Sequence, residues 1–338
     1  LIMATYKDIY GGNVRNFAGD PSNAINGQVW FDKTAVAFQY AKVTTSSAWS
    51  TGGNLNTARG YITGFGNQTA ALAAAGVNTS NNDVVLTEQY NGSSWTEVGD
   101  QNTTAQGRAG GGTTTSAVIC GGRLGPPGYT ANSEEWNGSA WTEGNNINNA
   151  RNTHSGTGVS SDAAIVTQGS NPGAYPPRGQ TGNTETYDGT SWTEVADLNL
   201  ERSSGSTSGT VTAALTISGI NPGMSPVTRA ETEQWNGSAW TEVADMNSGR
   251  YSTAAFGTTT ATIAGGGSPP DEATETESWN GSAWTEVNDL NVGRYRLGYG
   301  PTGTSTSGIA IGGRTTAYVA NTEHWSAAGT TAFTLATD

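Results

Sequence analysis

Cysteine and histidine are almost absent from this 338-residue chain, which contains one cysteine, Cys120, and two histidines, His154 and His324. A single cysteine excludes an internal disulfide framework and a cysteine-rich zinc site, and we expect Cys120 to be a small buried residue at a strand end. Neither histidine has a partner at the sequence spacing of metal ligands. The sequence therefore indicates no metal, no cofactor and no catalytic group, and predicts that the protein is not an enzyme.

Basic residues and long apolar runs are scarce as well. The chain has 15 Lys and Arg against 28 Asp and Glu, a formal net charge of −13. Nucleic-acid binding needs clustered bases, so we expect no nucleic-acid partner. No stretch approaches the roughly 20 apolar residues that span a bilayer, and the first residues lack the apolar core of a secretory signal. We therefore expect no membrane insertion and no signal peptide.

Glycine and large aromatic residues are what the sequence has in abundance. It contains 48 Gly, 11 Trp and 12 Tyr, while only 34% of its residues are hydrophobic. Disordered chains are poor in aromatic residues, so this composition favours an ordered, turn-rich β protein.

A repeat of 44 to 51 residues runs through the chain. Its first landmark is a tryptophan, which occurs at Trp49, Trp95, Trp141, Trp192, Trp240 and Trp284. Ten positions later five of the six repeats have an arginine, namely Arg59, Arg151, Arg202, Arg250 and Arg294. The second repeat has Ala105 at this position. A Glu-x-aromatic motif closes each unit, with its glutamate at Glu88, Glu134, Glu185, Glu233, Glu277 and Glu323.

Each repeat predicts four short strands. Asn-Gly or Asp-Gly after the Glu-x-aromatic motif indicates a hairpin with a type I′ turn, in which both central residues have positive φ. A glycine-ended apolar run and the segment after the arginine supply the other strands. This is the period of a β-propeller blade, and the pattern resembles kelch repeats. The sequence predicts an all-β fold: a six-bladed kelch-like β-propeller over residues 46–338, with tryptophans filling the wedges between blades.

The closing of the ring has two alternatives in the sequence. The strand around Trp49 completes the last blade beside Trp325, which joins the two chain ends, or the C-terminal run with Phe333 supplies that strand itself. Both remove an exposed sheet edge.

Residues 1–45 differ in composition from the repeats, since they hold all three lysines, Lys7, Lys33 and Lys42. Their run "DPSNAINGQVWFDKTAVAFQY" predicts a turn and a hairpin, so the propeller has a short N-terminal β-hairpin extension. This run resembles a segment common in appendage and tail-fibre proteins of tailed bacteriophages, with Ala24 where that segment usually has proline. Followed by repeats of the type "WNGSAWTEVADMN", it is similar to the kelch-like proteins of marine tailed bacteriophages.

The resemblance implies a virion structural and adhesion protein on a tail or fibre appendage. Residues 1–45 would then attach the ring to other virion proteins or to copies of the same chain, and the ring would contact a host-cell glycan or protein. Alternatives that the sequence leaves open are an enzyme acting on surface glycans, a capsid-decorating protein and a lectin-like interaction propeller.

The recurring arginines and glutamates have a structural explanation. A residue needed once per blade belongs to the architecture, whereas a functional site needs it once. The planar guanidinium group suits partly buried pairing with carboxylates or carbonyls. We expect these residues to lock adjacent blades, and Arg108 to replace the missing arginine of the second repeat or its junction to be looser.

The loops between the second and third strand of each blade are the predicted contact surface. They vary in length and hold nine of the 11 prolines. Proline preorganises a loop, and Tyr and Arg are enriched at binding hot spots. The candidate binding residues on these loops are Arg123, Tyr129, Tyr175, Arg178, Met224, Arg229 and Tyr318.

Overall fold

The computed structural model of the chain describes residues 15–18, 28–34, 36–125, 128–171, 179–269, 272–298 and 303–334. The regular secondary structure of these described residues consists of β-strands. The contacts divide the chain into two compact units, residues 48–326 and residues 1–47 with residues 327–338. The larger unit is a six-bladed β-propeller, as the repeat predicted, and each blade is a four-stranded antiparallel sheet.

Blades 1 to 3 follow one another along the chain, each with its strands in sequence order from first to fourth. Blade 1 consists of Thr63–Asn67, Ala70–Ala74, Thr87–Tyr90 and Trp95–Glu97. Blade 2 consists of Ala109–Gly112, Ala117–Cys120, Ser133–Trp136 and Trp141–Gly144. Blade 3 consists of Ser155–Ser160, Ala163–Thr167, Thr184–Tyr187 and Trp192–Glu194.

Blades 4 and 5 repeat this arrangement, and blade 6 takes its fourth strand from the other end of the ring. Blade 4 consists of Ser206–Thr210, Ala213–Ile217, Thr232–Trp235 and Trp240–Val243. Blade 5 consists of Ala254–Thr258, Ala261–Gly265, Thr276–Trp279 and Trp284–Val287. Blade 6 consists of Gly303–Thr304, Ser307–Ile311, Thr322–Ser326 and Ala48–Thr51. A short two-stranded sheet pairs Arg59–Gly60 with Val77–Asn78.

The ring closes through Trp49. Its strand pairs antiparallel with the third strand of blade 6, with Trp49 opposite Trp325. The two indole rings lie 5.4 Å apart, and Trp49 Nε1 donates to Thr276 Oγ1 of blade 5 at 3.1 Å. The first strands of successive blades contact one another around the axis, blade 6 to blade 1 included. Of the two alternatives for closing the ring, the structure therefore contains the one in which the strand around Trp49 completes the last blade.

Apolar side chains fill the wedges between neighbouring blades. Between blades 1 and 2, for example, Phe65 and Leu72 pack with Trp136 and Trp141 in one buried cluster. The third-strand and fourth-strand aromatic residues of a blade face each other, as in the pair Trp136 and Trp141 at 5.3 Å. Such pairs add about 0.5–1.5 kcal/mol beyond the burial of their area, so the repeated tryptophans are core residues.

The hairpin turns differ from the predicted type I′ form. Trp136 pairs with Trp141, so the loop spans the four residues 137–140, and positive φ occurs in it only at Gly138. The side chain of Asn137 organises the loop, because its Oδ1 accepts from the N–H groups of Ser139 and Ala140 at 3.0 Å each. Asn is thus selected for the hydrogen bonds of its side chain and not for its own left-handed backbone.

The smaller unit contains a four-stranded sheet. Its order is Arg15–Phe17, Val29–Asp32, Ala37–Thr45 and Gly329–Thr334. The second and third strands form the predicted hairpin with Asp32 opposite Ala37, and Trp30 is fully buried.

The C-terminal strand lies in this smaller sheet. Phe333 is opposite Tyr40 in the strand pair, whereas the sequence-based boundaries assigned residues 46–338 to the ring. The fourth-strand place in blade 6 is occupied by Ala48–Thr51. The last strand therefore pairs with residues that the sequence analysis assigned to the N-terminal segment.

Candidate functional site

The loop face is the side of the ring that carries the second-to-third-strand loops and the segments that link one blade to the next. Six buried ion pairs stabilise it, each joining an arginine of a linking segment to the third-strand glutamate of the following blade at N–O distances of 2.6 to 3.2 Å. The pairs are Arg59–Glu88, Arg108–Glu134, Arg151–Glu185, Arg202–Glu233, Arg250–Glu277 and Arg294–Glu323. Burial lowers the pKa of Arg294 to about 10, so its guanidinium stays charged at neutral pH.

The same arginines contact the preceding blade through their backbone. The carbonyl of Arg151 accepts a hydrogen bond from the N–H of Gly122 in the blade 2 loop at 2.8 Å, while its side chain pairs with Glu185 in blade 3. The carbonyls of Arg202, Arg250, Arg294 and Arg59 accept in the same way from Gly169, Gly219, Gly267 and Gly313. Each of these arginines therefore connects two blades.

Arg108 fills the place that the second repeat leaves vacant. It lies three positions after Ala105, yet its Nη1 reaches Glu134 Oε1 at 2.7 Å and its carbonyl accepts from Thr63 Oγ1 of blade 1 at 3.0 Å. Of the two expectations for this junction, the structure shows replacement by Arg108.

An asparagine that was not predicted from the sequence completes each of these contacts. Asn56 donates its backbone N–H and its side-chain Nδ2 to Glu88 Oε2, and Nδ2 also donates to the carbonyl of Trp95. Equivalent backbone hydrogen bonds to the paired glutamate come from Asn102, Asn148, Asn199, Asn247 and Asn291. The signal was present as an asparagine three positions before five of the six arginines.

Six residues in the left-handed conformation surround the axis on the loop face. They occupy equivalent places before the first strand of each blade, with φ between 49° and 64°, and are Tyr61, Gly107, Thr153, Ser204, Ser252 and Arg296. Several are hydrogen-bonded backbone to backbone, as in Tyr61 N–H to the Arg296 carbonyl at 3.0 Å and Ser204 N–H to the Thr153 carbonyl at 2.7 Å. Non-glycine residues rarely adopt this conformation, so the surrounding contacts hold it in place.

Four of these six positions have small residues, and the other two have large side chains. Tyr61 and Arg296 lie together, with the guanidinium carbon of Arg296 4.6 Å from the centre of the Tyr61 ring. Burial raises the pKa of Tyr61 to about 12, although Arg296 acts in the opposite direction. The repeated blade structure does not require large side chains at these two positions. Residues that occur at one blade and serve no repeated structural role are candidates for a binding site.

Tyr318 joins this pair. Its hydroxyl accepts a hydrogen bond from Arg296 Nη1 at 3.0 Å, and Arg314 lies over its ring at 5.5 Å. Gly60 makes the approach possible, because a Cβ there would meet Cδ1 of Tyr318 at 2.9 Å and the Arg296 carbonyl at 3.2 Å. We call Tyr61, Arg296, Arg314 and Tyr318 the mouth cluster.

A cavity of about 250 Å³ opens beside the mouth cluster. Tyr61, Arg296 and Tyr318 line one part of it, and Arg123 and Gln106 from the blade 2 side line another. Asp83 lies close enough to Arg123 for the two charges to interact; burial raises the pKa of Asp83, and Arg123 opposes that rise. The cavity therefore combines two guanidinium groups with two phenol rings, a combination suited to an anionic ligand with an apolar face.

Two of the candidate binding residues, Arg123 and Tyr318, line this cavity together. Tyr129 pairs with Arg123 through a backbone bridge and is half-buried. Met224 is 40% exposed on the blade 4 loop. Tyr175 and Arg178 lie outside the residues that the structure describes.

Arg229 has a structural role. It is 7% exposed, pairs with Glu231 and donates to the Pro226 carbonyl at 2.8 Å. Tyr61 and Arg296 were not predicted from the sequence. The signal was a large side chain two positions after the arginine of the repeat, where three other repeats have Thr or Ser.

Cys120 and His154 form a buried pair at the junction of blades 2 and 3. The thiol sulfur and His154 Nε2 are 3.6 Å apart, and both residues have no exposed surface. Burial raises the pKa of the Cys120 thiol to about 12 and lowers that of His154 well below its usual value. A thiol activated by histidine requires a thiolate and substrate access, and this pair has neither property.

No protein-family model matches the sequence, and no curated protein does either. Within the described ranges, no three His, Cys, Asp or Glu side chains are grouped so that they could hold a metal ion. The same part of the chain contains no helix with the length and apolarity of a membrane span.

Proposed function

We propose that the protein is a structural and adhesion component of a tailed-bacteriophage particle, whose propeller contacts a host-surface molecule or a neighbouring virion protein through its loop face. It works by binding and not by catalysis. The virion assignment is supported by the likeness of residues 20–31 and of the repeats to phage appendage proteins. The binding assignment is supported by the mouth cluster and its cavity.

The observation that carries the binding assignment is an asymmetry of the ring. Among the residues that the structure describes, seven arginines form ion pairs with glutamate, six of them at blade junctions and Arg229 with Glu231. Arg123, Arg296 and Arg314 lie near tyrosines at one mouth of the ring, and Asp83 lies close to Arg123. Arg and Tyr are the residues that most often dominate binding energy, and here a rigid scaffold presents them.

Exposed apolar side chains on the same face support a contact role. Leu124, Met224 and Val227 are 40–48% exposed, and all three lie on second-to-third-strand loops. Variable loops on a rigid scaffold are where binding function concentrates.

Adsorption competition tests the contact role. The purified chain in excess should block adsorption of the phage that carries it, and a triple variant with alanine at Tyr129, Tyr175 and Arg178 should block less. A control triple variant with alanine at the exposed and uncharged Thr96, Thr241 and Thr285 of the fourth strands should block as well as the native chain. Equal blocking by both variants would assign the contact to the opposite face of the ring, which carries the turns between the third and fourth strands.

Assembly tests the role of the N-terminal segment. Because Gly329–Thr334 pairs with Ala37–Thr45, removing residues 1–45 alone leaves an unpaired strand, so residues 1–47 and 327–338 should be removed together. We expect a folded ring that is not incorporated into particles. Normal incorporation of this shortened ring would show that attachment uses another surface.

A further inference from the structure

We infer that the cavity beside the mouth cluster binds a carboxylate-bearing sugar unit of an acidic polysaccharide. This inference names a ligand class for the proposed contact function and rests on it. The occupant follows from three properties of the site, namely the charge around it, the geometry of its guanidinium groups and its aromatic walls.

The charge distribution of the ring directs an anion to the mouth. The fourth strands form the outer edge of the blades, and five of them expose a glutamate, namely Glu97, Glu143, Glu194, Glu242 and Glu286. Arg123, Arg296 and Arg314 lie at the mouth of the loop face, with the carboxyl group of Asp83 close to Arg123. Three guanidinium groups against one carboxyl group leave the mouth positive, so an anionic polymer is repelled from the negative edge and attracted to the centre.

The orientation of Arg296 is fixed before any ligand arrives. Its guanidinium group lies 4.6 Å from the Tyr61 ring centre and 5.1 Å from that of Tyr295, and it donates to the Tyr318 hydroxyl. Its backbone is held in the left-handed conformation with φ of 56°. A planar fork fixed in this way matches the two oxygens of a carboxylate, and little entropy is lost on binding.

The walls of the cavity suit a sugar ring. Tyr61 and Tyr318 provide aromatic surface, and Asn81 and Gln106 provide amide groups that can bond to hydroxyls. At about 250 Å³ the cavity is smaller than the roughly 300 Å³ at which drug-sized ligand pockets begin. It therefore fits one sugar unit of a longer chain, with the neighbouring units lying on the loop face.

Calorimetric titration of the full chain tests the inference. The probes are an oligosaccharide of three uronic acid units, the same oligosaccharide with its carboxyl groups methyl-esterified, and inorganic phosphate and sulfate. We expect the acid to bind, its affinity to fall as salt rises, and the ester to bind at least tenfold more weakly. Binding of the ester equal to that of the acid, or binding of phosphate or sulfate alone, would overturn the carboxylate assignment.

Three variants localise the site. Arg296→Lys keeps the charge and loses the fork, and Arg123→Gln removes a charge on the blade 2 side; each should weaken binding of the acid at least tenfold. Val159→Ala, whose side chain is 54% exposed at the end of the first strand of blade 3 and away from the cavity, should bind as the native chain does. If Arg296→Lys does not fold, Arg123→Gln alone is the test. Native affinity in Arg123→Gln would show that the acid does not bind in this cavity.

Sugar binding and adhesion can be tested separately. Loss of acid binding in the variants without any effect on adsorption would leave the sugar site in place and contradict its adhesion role. Blocking of adsorption by the native chain without binding of the acid would support the adhesion role and contradict the sugar site.

Discussion

Arg108 Nη1 lies 2.7 Å from Glu134 Oε1, and both side chains are fully buried. The linking segment before blade 2 runs three residues further to its arginine than the other five segments. The ion pair is nevertheless the same, and so is the link to the preceding blade, which Thr63 Oγ1 supplies in place of a glycine N–H. The junction therefore depends on where the guanidinium ends and not on a fixed count along the chain.

Arg108→Ala should lower the free energy of unfolding by about 3–5 kcal/mol, because it leaves the Glu134 carboxylate buried without its countercharge. Arg229→Ala breaks a pair whose glutamate side chain is 21% exposed, and should cost about 1 kcal/mol or less. Urea denaturation of both variants gives the comparison. The double variant Arg108→Met with Glu134→Leu should lose less than Arg108→Ala, and a loss equal to or larger than that of the single variant would contradict this account.

The repeats made most of the fold predictable, because the core residues of each blade recur in the sequence at a nearly constant spacing. Tryptophans opposite one another, glycine-ended strands and six glutamates gave the blade number and the strand order. The closing strand was not predictable, since both Trp49 and Phe333 offered an aromatic residue at a chain end. Only the spatial pairing of Trp49 with Trp325 decides between them.

Trp49→Ala should destabilise the ring by about 3–5 kcal/mol, because it removes a buried aromatic side chain and leaves a cavity in the wedge between blades 5 and 6. It also removes the hydrogen bond to Thr276 Oγ1. Phe333→Ala, in the strand that pairs outside the ring, is the matched control and should leave the ring transition unchanged. Thermal unfolding followed by tryptophan fluorescence distinguishes the two, and an equal loss in both variants would contradict closure by Trp49 alone.

His154 should make the stability of the ring fall on mild acidification. Burial and the nearby Arg151 hold its pKa well below the usual value, whereas the unfolded chain binds a proton near the reference pKa of about 6.5. The unfolded state therefore takes up more protons below that pH, and stability that is complete above it is lost as the pH falls, by up to about 1.4 kcal/mol per pH unit.

The control for this pH dependence is the second histidine. His154→Leu should flatten the curve of unfolding free energy between about pH 6.5 and pH 5, as measured by urea denaturation at several pH values. His324→Leu should change it less, because His324 is only partly buried, although burial lowers its pKa too. An unchanged slope in the His154 variant would show that another group takes up the proton.

The sequence predicted the face of the ring on which the candidate site lies, but not the residues of the mouth cluster at its centre. The proline-rich loops indicated the loop face, and Arg123 and Tyr318 on them line the cavity. Tyr61 and Arg296 come from linking segments, two positions after an arginine of the repeat, and this position does not show that their side chains meet. Their proximity arises because the ring brings the segment before blade 1 beside the segment before blade 6, which are more than 200 residues apart in the chain.

Gly60→Ala tests whether the mouth cluster is a packed unit. The added Cβ would lie 2.9 Å and 3.0 Å from two carbons of the Tyr318 ring and 3.2 Å from the Arg296 carbonyl, which is closer than van der Waals contact allows. Tyr318 is only 7% exposed, so its side chain has little room to move. We expect a loss of about 1–3 kcal/mol from overpacking.

The decisive measurement for this variant is its coupling to Tyr318. Tyr318→Ala removes the ring that the new methyl group would strike, so the double variant should be less destabilised than the sum of the two single variants by about 1 kcal/mol or more. Gly298→Ala is the matched control, because its Cβ would have its nearest neighbour at 3.6 Å, an ordinary contact. Additive losses in the double variant would mean that Gly60 is required for its backbone alone, and that Tyr318 does not depend on it for its position over the mouth.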